Sequence, residues 1–139
     1  MILRKYEESD KLNLIKFWGE VFPLPSAHND PTFVLESKTK IDDLIFIAVK
    51  NGEIIGSCMA GYDGHRGWLY SVGVSPKVRR AGIGTKLMKY AIQQLTEIGC
   101  FKVNIQILST NTAVVSFYES LGFAVEERVS MGVLTGEIA

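Results

Sequence analysis

Glycines and arginines that could hold a phosphate group lie near the middle of the chain, directly before a helical pattern. An apolar run at residues 68–74 leads through a proline turn to Gly82 and Gly84, and apolar residues then recur at helical spacing. The first amides of a helix have no partner within it, and the helix dipole places partial positive charge there. Glycine lets the backbone approach an anion closely, while Arg79 and Arg80 add charged donors. The segment therefore predicts a strand, a glycine loop and a helix that bind a phosphorylated ligand.

Two common phosphate-binding loops do not match this spacing. Walker A is Gly-x-x-x-x-Gly-Lys-Ser/Thr, and the dinucleotide fingerprint is Gly-x-Gly-x-x-Gly. The arrangement Arg79-x-x-Gly82-x-Gly84 instead resembles the Gln/Arg-x-x-Gly-x-Gly/Ala pyrophosphate loop of the GNAT superfamily of acyl-CoA-dependent N-acetyltransferases. A second stretch is similar to another signature of that family: Asn111-x-Ala113-x-x-x-Phe117-Tyr118-x-x-Leu121-Gly122-Phe123. Without this second stretch, a tight turn with solvated arginines would be the better explanation of the loop.

The resemblance implies that acetyl-CoA binds as a co-substrate where two neighbouring strands splay apart. In the family the pantetheine amides pair with the strand before the glycine loop, as an added strand would. The residues implied in cofactor binding here are Val72, Gly73, Val74, Arg79, Arg80, Ala81, Gly82, Ile83, Gly84, Thr85 and Asn111. Two of them have alternative roles, because Asn111 could simply cap a helix and Gly73 could mark a bulge. No Cys/His spacing predicts a metal site.

The same resemblance assigns the acid of the reaction to Tyr118, which would protonate the departing thiolate. Its alternative role is that of a core tyrosine with a bonded hydroxyl. Backbone amides near residues 72–74 would stabilise the oxyanion. An amine acceptor resembling lysine has a pKa of about 10.4, so it must be deprotonated before it attacks.

The base is the point at which this chain departs from the family pattern. Many relatives carry a Glu on one of the splayed strands, but the corresponding positions here hold other residues: Trp68, Tyr70, Ser71 and Gln106. Deprotonation could then use water held by a polar side chain, or an acceptor that is already partly neutral. The candidate water-holding residues are Asp63, His65, His28 and Asp30, although a role as a turn or cap residue is the better explanation for each.

Taken together, the motifs predict an N-acetyltransferase that moves an acetyl group from acetyl-CoA to a primary amine of a small molecule or peptide, by direct attack in a ternary complex. The missing Glu keeps open an alternative, a non-catalytic acyl-CoA-binding sensor or scaffold. Segments 29–31 and 61–67 also resemble the YpeA-type subgroup of small bacterial acetyltransferases, a likeness that does not identify the acceptor. Four carboxylates in the variable segments favour a cationic or amine-bearing acceptor: Asp30, Asp42, Asp43 and Asp63.

Composition limits the classes of partner. The 139 residues predict a single domain spanning 1–139. Fifteen Lys and Arg residues balance fifteen Asp and Glu residues, which argues against a nucleic-acid or anionic-membrane partner. No apolar run approaches the roughly 18 residues of a membrane span, and the N-terminus does not resemble a signal peptide, so we expect a cytoplasmic protein. Cys58 and Cys100 are expected to be unpaired, and a homodimer remains open.

These residues need a sheet and helices to position them. Apolar periodicity and turn signals predict strands at 2–5, 44–50, 53–62, 68–74, 102–108, 123–128 and 129–134. Helices are predicted from Ser9 or Asp10 to about 21, from Pro31 to about 41, from the glycine loop to Gly99, and over 112–121. A strand, helix, strand passage around the glycine loop implies a parallel neighbour. The expected fold is α/β, a mixed, mostly antiparallel sheet of six to seven strands with helices on both faces, as the GNAT resemblance also implies.

Overall fold

A computed structural model describes residues 1–22 and 29–138 of the chain. It divides the chain into two compact units, Met1–Gln106 and Ile107–Ala139. The strands of the first unit are β1 Ile2–Lys5, β2 Ile45–Lys50, β3 Glu53–Tyr62, β4 Gly67–Val74 and β5 Val103–Ile105. Its helices are α1 Lys11–Val21, α2 Pro31–Thr39 and α3 Ile83–Glu97, and the second unit contains α4 Thr112–Ser120. No helix among the described residues combines the length and the apolar character that a bilayer crossing requires.

The sheet of the first unit has five strands in the order β1, β2, β3, β4, β5. Neighbouring strands are antiparallel except for the last pair, since β5 runs parallel to β4. The α3 helix provides the connection that a parallel pair needs, because such strands cannot be joined by a short turn. The mixed, mostly antiparallel sheet predicted from the sequence is therefore confirmed.

The predicted number of strands is wrong. Residues 123–134, expected to form the last two strands, adopt neither strand nor helix. Four apolar side chains of this segment are between 63% and 90% exposed: Val125, Val129, Met131 and Val133. Strand preference depends on a paired neighbour and a half-buried face, and exposed apolar residues have neither to favour them. Among the residues that the structure describes, the sheet consequently has five strands rather than six or seven.

Local signals explain where most elements begin and end. Asn51 and Gly52 join β2 to β3 with φ angles of +52° and +75°, as the two central residues of a type I′ hairpin turn require. Asp30 caps α2 by accepting a hydrogen bond from the Phe33 amide at 3.2 Å, and Pro31 occupies the first helical position. Gly99 follows the end of α3 with a φ of +102°, the left-handed conformation typical of a helix stop.

Helices pack on both faces of the sheet, as predicted. On one face, buried side chains of α1 and α2 contact Ile45 and Ile47 of β2. On the other face, α3 packs Tyr90 edge-to-face against Phe46 with ring centroids 5.6 Å apart, and Ile83 packs against Ala48 and Ile55. Burial of these apolar side chains provides most of the stabilisation of the unit.

A buried polar contact fixes α1 on the sheet. The indole Nε1 of Trp18 donates a hydrogen bond to the Ser57 hydroxyl on β3 at 2.8 Å. Both side chains are almost inaccessible to water, so each polar group would be costly to bury without the other. This contact lies beside the end of α1 that approaches β4.

The start of α1 is tied to β1 by an ion pair with two hydrogen bonds. The Arg4 guanidinium donates to both Asp10 oxygens, at 2.8 and 2.9 Å, and the Glu7 amide donates to Asp10 at 2.8 Å. Asp10 is only 8% exposed. The Arg4 hydrogen bond is the largest cause that lowers the pKa of the Asp10 carboxyl. A lowered pKa means that folding favours the ionised carboxylate.

We therefore expect Asp10→Asn to destabilise the protein at pH 7 by about 1.5 to 3 kcal/mol, the range for a hydrogen bond to a charged group. Because the folded-state pKa is depressed, the stabilisation is present above the unfolded pKa of about 3.9 and is lost as the pH falls through the folded-state value. Thermal melts of both proteins between pH 7 and pH 2 measure the effect. Asp43→Asn, at an exposed pair with Lys5, is the control and should cost about 0 to 1 kcal/mol. If the stability difference between wild type and Asp10→Asn were the same at pH 7 and at pH 2, the ionised Asp10 carboxylate would not be the source of the stabilisation.

Candidate functional site

The two parallel strands β4 and β5 stay paired for only a short distance. Their ladder joins Gly67 to Val103, Trp68 to Asn104, and Leu69 to Ile105. Beyond Leu69, β4 continues to Val74 without a further partner on this side among the described residues. Its backbone is therefore open along one edge over residues 70–74, where an extended ligand could add in the manner of a strand.

A β-bulge bends β4 at the point where this ladder ends. Tyr70 pairs with Met59 and Gly73 pairs with Ser57, so two residues of β4 lie opposite Cys58 alone. One of the two, Ser71, has a φ of +47°, a conformation that residues other than glycine seldom adopt. Bulges bend a strand and increase its twist, so β4 is bent at the point where its ladder with β5 ends.

The open edge of β4 presents backbone groups of two valines. The Ser75 amide donates to the Ile55 carbonyl on β3 at 2.8 Å. Because backbone groups alternate between the two sides of a strand, the amide and carbonyl of Val74 point away from β3, and we expect the same of Val72 if the alternation extends to the bulge. The Arg79 Nε donates to the Val74 carbonyl at 3.4 Å, which agrees with that orientation.

Gly73 has a different environment from its two neighbours. Its register partner is Ser57 on β3, so its backbone faces the sheet rather than the open edge. A Cβ at this position would lie 3.0 Å from Val21 and 3.1 Å from Phe22, at the end of α1. The missing side chain thus lets α1 approach β4 closely, and the bulge lies at the residues just before it.

The N-terminus of α3 follows β4 and presents free backbone amides. Gly82 is the N-cap residue with a φ of +76°, and no side chain caps the helix. The first helical hydrogen bond runs from the Lys86 amide to the Gly82 carbonyl at 3.1 Å. The helix therefore leaves three amides without an internal partner: those of Ile83, Gly84 and Thr85.

Positive charge surrounds these amides. Arg79, Arg80 and Ala81 form an exposed loop before the helix, and Lys86 is exposed on its first turn. A Cβ at Gly82 would meet no described atom within 4 Å, so the space in front of the helix is open. Open amides, an exposed cationic loop and the helix dipole together fit a pyrophosphate group. The donor set thus suits the acyl-CoA implied by the sequence motifs.

The remaining two predicted site residues lie in the second unit. Asn111 caps α4, with its Oδ1 accepting a hydrogen bond from the Val114 amide at 3.3 Å. Tyr118 is 4% exposed and packs edge-to-face against Phe117 and Phe123, with ring centroids 5.0 and 5.3 Å away. Capping and aromatic packing are thus observed for these residues, while their roles toward a cofactor stay predictions.

No carboxylate or imidazole occupies the described strand positions at which the family resemblance places a Glu. Trp68 and Tyr70 lie on the β4 face turned toward α1 and α2, since Tyr70 pairs with Met59, which packs on those helices. Among the candidates for holding water, Asp30 caps α2 and His65 is exposed in the turn between β3 and β4. His28 lies outside the described residues.

Asp63 begins that turn, and backbone hydrogen bonds favour the ionised form of its carboxyl group. Its Oδ1 accepts hydrogen bonds from the amides of His65 and Arg66, both at 2.8 Å. The Arg66 bond and then the His65 bond are the main causes that lower the pKa of the Asp63 carboxyl. Asp63 is therefore ionised at neutral pH and is a poor proton acceptor.

Neither cysteine provides a nucleophile. Cys58 and Cys100 are both buried and unpaired, as predicted. Burial raises the pKa of the Cys58 thiol to about 12, so its thiolate is scarce at neutral pH. Within residues 1–22 and 29–138, no group of His, Cys, Asp and Glu side chains could hold a metal ion.

The comparison with known sequences gives one family. A model described as the acetyltransferase (GNAT) family matches residues 13–123. An acetyltransferase of Pectobacterium atrosepticum is 37% identical over 133 residues, covering 95% of this chain and 94% of the relative. An acetyltransferase of Sodalis glossinidius is 38% identical over 130 residues, covering 93% of this chain and 91% of that protein.

Solved structures with the same fold are more distant in sequence. The ribosomal-protein-S18-alanine N-acetyltransferase of Escherichia coli superposes with a TM-score of 0.76 at 21% identity, covering 87% of this chain and 76% of its own. An aminoglycoside 6'-N-acetyltransferase of Acinetobacter haemolyticus has a TM-score of 0.76 at 17% identity, covering 97% of this chain and 99% of its own. At these identities the likeness establishes the fold alone.

Proposed function

Because the chain belongs to the GNAT family of acetyltransferases, we propose that it transfers an acetyl group from acetyl-CoA to a primary amine of a small molecule or peptide. The amine would attack the thioester directly in a ternary complex. The proposal rests on one observation above all, the open edge of β4 beyond Leu69. An amide-bearing arm can pair with Val72 and Val74 there, while its phosphates reach the N-terminus of α3.

The anchoring of acetyl-CoA follows from the donors at that helix. The amides of Ile83, Gly84 and Thr85 would donate hydrogen bonds to the pyrophosphate, and Arg79 and Arg80 would add positive charge. Pairing along β4 would fix the thioester near the bulge at Ser71, because the bulge interrupts the regular pairing of the strand. Asn111 is proposed to contact the cofactor through its side-chain amide nitrogen, since capping occupies its oxygen.

The chemistry then requires a neutral amine, a stabilised oxyanion and a proton for the departing thiolate. Backbone amides near residues 72–74 are the proposed oxyanion donors, and within this segment Val74 rather than Gly73 turns its amide to the open side. Tyr118 is the proposed acid, whose phenol would protonate the thiolate. With Trp68 and Tyr70 at the positions where relatives carry Glu, we propose that solvent takes the proton of the amine.

Thiol release across a panel of amines tests the proposed function. We expect release of free CoA thiol that depends on a primary amine, together with acetylated amine detected by mass spectrometry. The matched control is the alcohol of the same carbon chain, which should give little release. A protein that bound acetyl-CoA but released thiol with none of the amines would instead be the acyl-CoA-binding sensor or scaffold. Release that occurred only with alcohols or acids would contradict an amine acceptor.

A further inference from the structure

An exposed aromatic side chain lies where β4 and β5 part. Tyr70 is the first residue of β4 beyond the ladder with β5, and its side chain is 45% exposed. Helices α1 and α2 cover β2, β3 and the Gly73 end of β4 on this face, but they leave the Tyr70 ring accessible. The half-buried Trp68 lies on the same face, two residues earlier. An acceptor that reaches the thioester from this face would meet these rings.

Two of the four carboxylates considered for the acceptor side, Asp30 and Asp63, form no ion pair within the described part of the chain. Asp30 caps α2, while Asp42 and Asp43 form ion pairs with Lys38 and Lys5. Asp63 accepts only backbone amides, and it forms no ion pair within the described part of the chain. Both of these amides bond Oδ1, so the second oxygen, Oδ2, remains available to a ligand. The turn thus offers one carboxylate oxygen that neither amide bonds, and the charge of the neighbouring His65 acts on this carboxylate.

The Asp63 charge acts on the Tyr70 side chain. Partial burial raises the pKa of the Tyr70 phenol, and the negative charge of Asp63 raises it further. The Tyr70 ring lies across Gly61, where a Cβ would be 3.5 Å from the ring edge and 4.0 Å from the Lys38 Nζ. That ammonium is neutralised by Asp42 at 2.8 Å, so it does not cancel the charge of Asp63.

We propose that Tyr70 and Asp63 select an acceptor amine that carries a second positive charge. One nitrogen of such a substrate is neutral and attacks the thioester, while the other stays protonated and pairs with Asp63 across the Tyr70 ring. Aromatic faces attract cations, and a carboxylate beside the ring strengthens that preference. The inference rests on the proposed function and defines its acceptor class. A free diamine and a peptide with adjacent lysines share this chemistry.

The test compares 1,4-diaminobutane with butylamine, which has the same carbon chain and a single charge. We expect the wild-type protein to prefer the diamine in kcat/KM. Asp63→Asn keeps an Oδ1 for the amides of His65 and Arg66, and it should reduce this preference about tenfold, mainly through KM. Tyr70→Leu should reduce it in the same direction. Asp43→Asn, which removes an exposed carboxylate already paired with Lys5, is the matched control and should retain the preference.

Unchanged preference in Asp63→Asn would overturn the selection inference and leave the proposed acetyltransferase function standing. If no amine released thiol, the proposed function would fail instead. Calorimetric binding of 1,4-diaminobutane would still decide the inference in that case, because equal affinity for wild type and Asp63→Asn would overturn it. A tetrapeptide with two lysines, compared with one carrying a single lysine, separates the two sources. If the preference for the doubly charged substrate is larger between the two tetrapeptides, the acceptor is a basic peptide. If it is larger between 1,4-diaminobutane and butylamine, the acceptor is a small cation.

Discussion

Tyr118→Phe is expected to lower kcat by about 100-fold, the lower part of the range for general acid catalysis. The change removes the phenolic proton and keeps the ring, which packs against Phe117 and Phe123 at 5.0 and 5.3 Å. The folded state should therefore persist. A thiol has a pKa of about 8.5, so a thiolate leaves more readily when it is protonated as the bond breaks. Affinity for acetyl-CoA should stay near that of the wild type, because the proton acts in the transition state.

Tyr62→Phe is the matched control for this substitution. The Tyr62 hydroxyl donates a hydrogen bond to the Gly99 carbonyl at 3.2 Å, a contact that joins the end of β3 to the end of α3. Its loss should cost about 1 kcal/mol of stability and leave turnover nearly intact. Thermal stability, acetyl-CoA affinity and kcat should be measured on the same preparations of all three proteins.

A Tyr118→Phe protein with near wild-type kcat in steady state and in single turnover would remove Tyr118 from the mechanism. The single-turnover measurement is needed because slow product release could hide a slower chemical step. A purely structural hydroxyl would behave as Tyr62 does, with lower stability and unchanged chemistry. The two variants thus separate catalysis from packing with the same chemical change.

Gly82→Val is expected to weaken acetyl-CoA binding by about 3 kcal/mol, on the order of 100-fold, because a branched side chain would stand before the amides of Ile83 and Gly84. Hydrogen bonds to a charged group are worth about 1.5 to 3 kcal/mol each, so loss of one or two accounts for this effect. The left-handed φ of +76° adds strain to any residue with a Cβ. Isothermal calorimetry with acetyl-CoA measures the change.

The strain can be separated from the blocked approach by Gly52→Val in the β2–β3 hairpin. Gly52 has a φ of +75°, and a Cβ there also meets no described atom within 4 Å. Both variants should therefore lose similar stability through backbone strain. Only Gly82→Val should lose cofactor affinity. Wild-type affinity in a folded Gly82→Val protein would show that the glycine loop is simply a turn.

The sequence predicted the elements that depend on local signals. Strand β3 has the predicted bounds Glu53–Tyr62, because Asn51 and Gly52 set its start through backbone conformations that few residues adopt. Helix α2 begins at Pro31 for a similar reason, the Asp30 cap. The segment 123–134 was predicted as strands on apolar content, and the error arose because pairing depends on neighbours that are distant in sequence.

The parts of the candidate site that depend on a sequence motif could be predicted from the sequence. The parts that depend on the pairing register of β4 could not. Gly82 at the N-cap of α3 follows from the Arg-x-x-Gly-x-Gly pattern. The bulge at Ser71 does not, since it arises from the pairing of β4 with β3. Asp63 differs from Asp43 only through contacts in space, because the partner of Asp43 is Lys5, far away along the chain. The sequence around Tyr70 contains no motif that indicates a role in acceptor selection.

The bulge in β4 also reverses the phase of the strand. Before it, the even-numbered Tyr70 faces α1 and α2, since it pairs with Met59 of their core; after it, the odd-numbered Gly73 faces the same helices through Val21 and Phe22. A side-chain period of two cannot place residues three apart on one face unless an extra residue lies between them. The strand is therefore two half-strands in opposite phase. A one-residue deletion at Ser71 or Val72 would restore regular pairing with β3 and keep Tyr70 and Gly73 on the same face, but it would remove the bend in the strand. A homologous chain that lacks this extra residue should thus have a straighter β4, with no interruption in its pairing with β3.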